Sequence, residues 1–418
     1  VNAVVISCGT ELVTGQCVDT NAAWISHWLT AFGVEVTCHI TTGDHANTLS
    51  SEIHRALDEV QLVVITGGLG PTPDDITREA IAEALGEPLV ESAEALAQIS
   101  RFFARWQRPM PESNYRQAMA PRGCDVIANP RGTAPGIRYR RGDRRLYAFP
   151  GVPAEMQAMF EAEVVPVLSA LTGGRRMVSA CLRCFGISEA RLGEILTDLM
   201  QRGRNPSVGT TASQGILCIR VLALGDSPEE SRRLCESDVC EIRSRVGVPV
   251  FGENNDTLES VVGRMLRESG LTIATAESCT GGLLAKRLTD NPGSSRYFLR
   301  GYVTYTDESK MELLGVAEQL LRTHGAVSEA VASAMALGCR KQAGADYALS
   351  ITGIAGPTGA VPPEKPVGLV YIALAHDSGV EVTRHLFGEH LTRAEIRDRS
   401  CKTALNLMRL HMLGQKLT

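Results

Sequence analysis

The run Leu62-Val-Val-Ile65 is apolar at every position and leads directly into Thr66-Gly-Gly-Leu-Gly-Pro-Thr-Pro-Asp-Asp75. A strand without a polar face has to be covered on both sides, as in a parallel sheet held between layers of helices. The flanking sequence repeats the pattern. Residues 2–7 read as a buried strand, and Asp19-Thr-Asn21 opens a helix with Ala22, Ile25, Trp28 and Leu29 on one face. A strand at 33–37 and a helix at 49–60 follow. Strands and helices alternating in this way predict an α/β domain.

In such sheets ligands bind beyond the carboxyl ends of the strands, where closely spaced glycines let backbone N–H groups approach phosphate oxygens. Thr66, Gly67, Gly68 and Gly70 are therefore candidates for a phosphate cradle. Asp74 and Asp75 would repel a bare phosphate and make sense if a divalent cation such as Mg²⁺ bridges acid and phosphate. Alternatively, one of them caps a helix at 76–85. Two further acids sit at similar junctions. Glu11 lies in the glycine-punctuated turn 8–15, and Glu155 lies in the first turn of the helix after Phe149-Pro-Gly-Val-Pro153, where the helix dipole alone would favour it. The arginines at 138, 140, 141, 144 and 145 surround Gly142-Asp143 and read as a solvated hairpin.

A second strand-to-helix junction occurs at Ala276-Glu-Ser-Cys-Thr-Gly-Gly282, between the apolar run 271–275 and a helical pattern at 283–288. Ser278 there faces free backbone N–H groups, an address for a nucleophile. Taken alone, the stretch equally suits a cap by Ser278 or Thr280. Tyr305 ends a strand at 301–305, Asp307 is a natural N-cap, and Lys310 falls in the first turn of the next helix. A lysine in that place opposes the helix dipole by about 0.3–1 kcal/mol when exposed. If desolvated it becomes a neutral amine able to deprotonate a serine; otherwise it is one more surface lysine. After a helix at 329–343, the glycine-rich stretch 349–368 places Thr352 and Gly353 at another strand end, facing the same crevice. Arg393 and Arg397 share a face of the last helix, suiting a phosphate, a partner's acids or solubility.

Between these halves, 171–176 reads as a linker. Strands at 178–185 and 216–224 and helices at 189–200 and 227–246 carry no catalytic cluster. The 12 cysteines are scattered; Cys181 and Cys184 have metal-ligand spacing but no second pair, and they read as small buried hydrophobes kept reduced in a cytosolic environment. A chain of 418 residues suits two or three domains. A net charge of -5 without a long basic run argues against non-specific nucleic-acid binding. No apolar run reaches the ~18 residues of a membrane span and no signal-peptide pattern opens the sequence, so a cytoplasmic location is expected.

The motifs Gly9-Thr-Glu-Leu-Val-Thr-Gly15, Asp19-Thr-Asn21, Thr66 to Asp75 and Pro150-Gly-Val-Pro-Ala-Glu155 resemble the N-terminal domain of the CinA (competence/damage-inducible) proteins, which shares its fold with molybdopterin-binding proteins. Ala276 to Gly282, Tyr302-Val-Thr-Tyr-Thr-Asp-Glu-Ser-Lys310, Thr352-Gly-Ile-Ala-Gly-Pro357 and Lys365-Pro-Val-Gly368 resemble the C-terminal domain of the same family. The sequence departs from the family at Ala360, where the second glycine of a Gly-Gly pair is common, and at the stiffer Val361-Pro-Pro363.

The resemblance implies two doubly wound α/β domains, 1–170 and 253–418, joined by a small α+β KH-like module at 171–252. It implies a metal-dependent ADP-ribose pyrophosphatase in the first domain. There Asn21, Thr66, Gly67, Gly68 and Gly70 bind substrate, and Glu11, Asp74, Asp75 and Glu155 bind a divalent metal. In the last domain it implies a cofactor-free amidase converting nicotinamide mononucleotide to nicotinic acid mononucleotide and ammonia. Ser278, Tyr305 and Lys310 would be catalytic, and Glu277, Thr280, Gly281, Gly282, Thr352, Gly353 and Arg397 would bind substrate. A homodimer without membrane or nucleic-acid partners is expected. The alternatives are an N-terminal domain that only binds a nucleotide or pterin-like ligand, and a scaffold in DNA uptake or repair.

Overall fold

The computed structural model describes residues 1–359 and 365–415. The chain divides into two compact units, one of residues 1–179 and 222–237 and the other of residues 180–221 and 238–418.

The first unit begins β1 (Asn2–Cys8), α1 (Thr10–Val13), α2 (Thr20–Ala31), β2 (Glu35–Thr42), α3 (Ala46–Glu59), β3 (Leu62–Thr66) and α4 (Thr77–Leu85). A small excursion follows, with β4 (Leu89–Glu91) paired to β5 (Met119–Pro121) and α5 (Ala93–Arg105) between them. Then come β6 (Asp125–Ile127), β7 (Gly136–Arg141), β8 (Arg144–Phe149), α6 (Pro153–Glu163) and α7 (Val165–Leu171). The sheet runs β2-β1-β3-β8-β7-β6, parallel from β2 to β8 and antiparallel beyond. The apolar strands are buried on both faces as expected. Ala3, Val5, Leu62 and Val64 pack under α2 and α6, while Val4, Ile6, Val63 and Ile65 pack under α3 and α4. The arginine-rich segment forms the β7–β8 hairpin.

The middle of the chain is an α+β segment: β9 (Arg176–Cys184), α8 (Glu189–Ile195), β10 (Ser207–Ser213), β11 (Ile216–Gly225), α9 (Pro228–Val246) and β12 (Val250–Glu253). Its sheet order is β10-β11-β9-β12. β10 and β12 were not evident from the sequence, because β10 is largely polar and β12 only four residues long. The boundary between the two units passes through β9, β11 and α9. Cys181 in β9 and Cys218 in β11 bring their sulfurs within bonding distance of each other; Cys184 is free and buried.

The C-terminal region comprises α10 (Leu258–Ser269), β13 (Ile273–Glu277), α11 (Leu283–Thr289), β14 (Phe298–Val303), α12 (Asp307–Leu314), α13 (Glu318–His324) and α14 (Glu329–Ala343). β15 (Tyr347–Gly353), β16 (Leu369–His376), β17 (Gly379–Leu386) and α15 (Arg393–Met412) complete it. Its sheet runs β14-β13-β15-β16-β17, with the first three parallel. The two faces differ in side-chain size. Ile273, Leu349, Ile351, Ile372 and Leu374 meet α10, α11 and α15, whereas Ala274, Ala276, Ala348, Ala373 and Ala375 lie under α12 to α14. Small residues let helices approach closely, and Gly338 of α14 carries this furthest: a Cβ there would stand 1.9 Å from the carbonyl oxygen of Leu314 in α12. No helix among the described residues is long and apolar enough to cross a membrane.

Gly338→Ala is expected to lower the unfolding free energy by about 1–3 kcal/mol, since backbone must move to admit the methyl group. Chemical denaturation measures it, and an unchanged midpoint would show that α12 and α14 are not locked by this contact.

Candidate functional site

Ser278 follows β13 at the carboxyl end of the parallel strands. Its N–H donates to Ile351 O at 3.0 Å and its carbonyl accepts from Gly281 N at 3.1 Å. The hydroxyl is bonded to no described residue. Neither Ser278 nor Thr280 caps α11. The cap is Glu277, 1% exposed, whose two carboxylate oxygens accept from Leu284 N at 3.0 Å and Ala285 N at 2.8 Å. Glu277, expected to bind substrate, has both carboxylate oxygens engaged by the start of α11, and the arrangement leaves the serine out of the cap. Gly281 and Gly282 both adopt positive φ, the second as N-cap residue of α11. Gly281 N is engaged by Ser278, whereas the N–H groups of Thr280 and Gly282 donate to no backbone carbonyl among the described residues.

Beside this turn, Thr304 N donates to Glu277 O at 2.8 Å, extending the β13–β14 register in which Glu277 faces Val303. Tyr305 lies two residues beyond β14 rather than ending it. Thr306, not Asp307, caps α12 in a capping box with Ser309. Lys310 is 1% exposed, with Nζ donating to the carbonyls of Tyr305 and Thr306 at 3.3 Å each and lying 3.5 Å from Asp307 Oδ1. Burial pushes the lysine below its ordinary pKa, and the Asp307 carboxylate only partly opposes this. Tyr305 is 56% exposed, and its hydroxyl accepts from Arg393 Nη2 at 2.8 Å. The buried hydroxyls of Thr275, Thr280 and Thr304 have no partner among the described residues.

Other expected contacts are taken up by the fold. Thr352 is buried and donates to Ala326 O at 2.8 Å; Gly353 leaves no room for a Cβ against Val370 and Leu369. Arg397 binds Thr280 O through Nε at 3.2 Å and Nη2 at 2.6 Å, buttressing the serine turn. It also lines a cleft of about 540 Å³ together with Leu283, Ala394, Asp398, Gln214 and Gly215. Ala360 and Val361-Pro-Pro363 lie outside the described residues.

In the N-terminal domain, the Thr66–Asp75 loop is held from within. Asp75 accepts from Gly70 N at 2.7 Å, Thr72 N at 2.9 Å and the Thr72 hydroxyl at 2.5 Å, while Asp74 is exposed. Ile76 is the N-cap residue of α4 and makes no side-chain cap, so neither aspartate caps that helix. Gly67, Gly68 and Gly70 are required by close neighbours: a Cβ would meet Cys8 O at 2.1 Å, Thr77 Oγ1 at 2.3 Å and Asp75 Oδ2 at 2.4 Å. Buried Arg78 clamps the loop through Leu69 O at 2.7 Å and Gly70 O at 2.8 Å, a residue the sequence did not single out. Glu11 is exposed with its carboxylate over Gly9, and Glu155 accepts from Asn129 Nδ2 at 2.7 Å.

No three of these four acids bring donor atoms within 4.8 Å of one another. Asp75 and Glu155 are engaged by their own surroundings, whereas Glu11 and Asp74 are exposed. What does gather near the strand ends is neutral. Asn21 Nδ2 joins Thr66 Oγ1 at 3.0 Å and Gly151 O at 2.8 Å, while Asn21 Oδ1, Ser7 Oγ and Thr42 Oγ1 are buried without partners among the described residues.

Residues 255–412 match the model of the CinA C-terminal domain, residues 4–170 that of the Probable molybdopterin binding domain, and residues 179–252 that of the Damage-inducible protein CinA KH domain. A competence-damage inducible protein of Symbiobacterium thermophilum is 45% identical, covering 99% of both chains. One from Acetivibrio thermocellus is 43% identical over 99% of this chain and 100% of its own. The crystal structure of the competence/damage inducible protein CihA from Agrobacterium tumefaciens is 41% identical, covering 37% of this chain and 95% of that chain, with a TM-score of 0.35.

Glu277→Ala is expected to cost about 1–3 kcal/mol of stability by orphaning two buried N–H groups, whereas Ser278→Ala should be nearly neutral in thermal unfolding. The reverse order would make Ser278 the structural residue of the turn.

Proposed function

The chain belongs to the CinA family of competence/damage-inducible proteins, and from that premise and the geometry around Ser278 we propose that its C-terminal domain is an amidase acting on nicotinamide mononucleotide. The observation that supports the reading is the capping of α11 by Glu277, which leaves the Ser278 hydroxyl out of the helix cap in a region that also holds the buried Lys310. The neutral Lys310 amine takes the Ser278 proton as Oγ attacks the carboxamide carbon. The oxyanion is received by the N–H groups of Thr280 and Gly282. Ammonia leaves with that proton, and water hydrolyses the resulting ester to release nicotinic acid mononucleotide. Tyr305 acts mainly through its carbonyl, which orients Lys310, because its hydroxyl is held by Arg393.

A second reading concerns the N-terminal domain. The unpartnered polar atoms of Ser7, Asn21 and Thr42 support a site for a pyrophosphate-bearing nucleotide such as ADP-ribose. The scattered acids give no basis for deriving a hydrolytic step through a metal. ADP-ribose is expected to bind in the presence of chelator and to bind less well to Asn21→Ala; calorimetry showing binding only with added divalent ion would overturn this.

Ammonia release from nicotinamide mononucleotide tests the amidase. Ser278→Ala and Lys310→Met should each lower kcat/KM by about three orders of magnitude or more. Tyr305→Phe should lose less than the ~100-fold expected of a proton relay. Lys310 holds its proton less tightly folded than unfolded, so activity should rise with pH and level off before the ordinary lysine value of 10.5. Over the same window the unfolded chain binds the extra proton, so stability also rises with pH. A profile still climbing at pH 10.5, or wild-type rates from Ser278→Ala, would sink the assignment.

A further inference from the structure

Outside the serine site, one group of metal-ligating side chains stands together among the described residues. His376 ends β16, Glu381 lies in β17 and His411 is in the last turn of α15. In the β16–β17 register Leu374 faces Glu381 and His376 faces Gly379, so His376 and Glu381 are diagonal neighbours on one face of the ladder. That face carries Leu374, which packs with Met408 of α15, and His411 follows Met408 by one helical turn. One ligand atom from each of the three residues lies within 4.8 Å of the others: His411 Nδ1 to Glu381 Oε1 is 2.8 Å and His376 Nε2 to Glu381 Oε1 is 3.6 Å.

We propose that His376, Glu381 and His411 bind one transition-metal dication of the Zn²⁺ class, tying the β16–β17 hairpin to the end of α15. Two imidazoles and one carboxylate are donors for zinc, cobalt or nickel rather than for magnesium or calcium, which take oxygen ligands. Metal–ligand bonds of about 2.0–2.2 Å at tetrahedral angles place the donors roughly 3.3–3.5 Å apart, so rotamer adjustments within the observed spread suffice.

Two observations separate this from a histidine–glutamate contact of convenience. His376 Nε2 is buried and has no hydrogen-bond partner among the described residues, although it points toward Glu381. The two rings also stack 4.4 Å apart at 36°, an arrangement that repels if both are protonated and suits shared coordination. Ser378 N–H points at His376 Nδ1 at 3.2 Å, which puts the neutral ring's proton on Nε2. On coordination through Nε2 that proton moves to Nδ1, which gives up the Ser378 N–H and donates instead toward Asp377 Oδ1, 3.6 Å away as an outer carboxylate. His411 Nδ1, which donates to Glu381 Oε1 in the metal-free protein, becomes a ligand as its proton moves to Nε2. Each ring therefore changes tautomer without changing charge. Entry is from the Glu381 side, whose side chain is 41% exposed against 11% for His376. Solvent completes the fourth position.

The test is Co²⁺ titration of the purified full chain, read by visible absorption. Wild type should develop the intense bands of tetrahedral Co²⁺, saturating at one equivalent and abolished by Zn²⁺. His411→Ala and Glu381→Gln should bind at least about tenfold more weakly through this signal. Glu381→Gln is nearly isosteric and keeps the comparison valid if His411→Ala unfolds. Zn²⁺ should also raise the thermal midpoint of wild type and not that of Glu381→Gln. Absent tetrahedral bands, or bands and midpoint shifts equal in wild type and variants, would overturn the proposal.

Discussion

Two backbone N–H groups, from Leu284 and Ala285, hold the carboxylate of Glu277, and the shape of the serine turn and the chemistry proposed for it depend on that contact. A helix beginning immediately after a strand needs acceptors for its first N–H groups. Supplying them from the strand's last residue, rather than from the turn, keeps the Ser278 hydroxyl out of the structural bonding. It also places a negative charge at the positive end of α11, so that helix start is not the receiver of an oxyanion. The donors left for that task are the N–H groups of the turn itself, whose path is set by two glycines at positive φ and braced by Arg397 on Thr280 O.

Lys310 depends on the opposite face of the same sheet. Alanines in β13, β15 and β16 let α12 and α14 come close, and the Gly338–Leu314 contact fixes how close. The amine is thereby enclosed, left with two carbonyls and one partly opposing carboxylate, and its charged form is disfavoured. Packing and reactivity are linked here: a looser α12–α14 contact would admit water and restore an ordinary lysine.

Much of this was legible in the sequence. The double burial of 62–65, the strand-to-helix turn at Ser278 and the misfit of Lys310 at a helix start are local signals with local physical causes. The capping by Glu277 was not legible, because its partners lie seven and eight residues ahead, beyond any capping-box spacing. Arg78 was not singled out, since nothing nearby in the sequence shows that the loop carbonyls of Leu69 and Gly70 fold back over it. The four acids show where local sequence stops being informative. Each sits at a strand end where a ligand could bind, yet Asp75 and Glu155 face their own loops, a distinction that side-chain direction alone decides. β17 escaped notice because its residues alternate weakly and its pairing partner is supplied by the hairpin.

The boundary that passes through β9, β11 and α9 means that neither compact unit is a continuous stretch of chain. The first unit draws on residues 222–237 and the second on residues 180–221, so the polypeptide changes units three times before it reaches α10. A gene cut at one point cannot deliver both halves intact. The coding sequences of the two units are interleaved, and recombination that exchanges one unit for a homologous copy must carry part of the other with it.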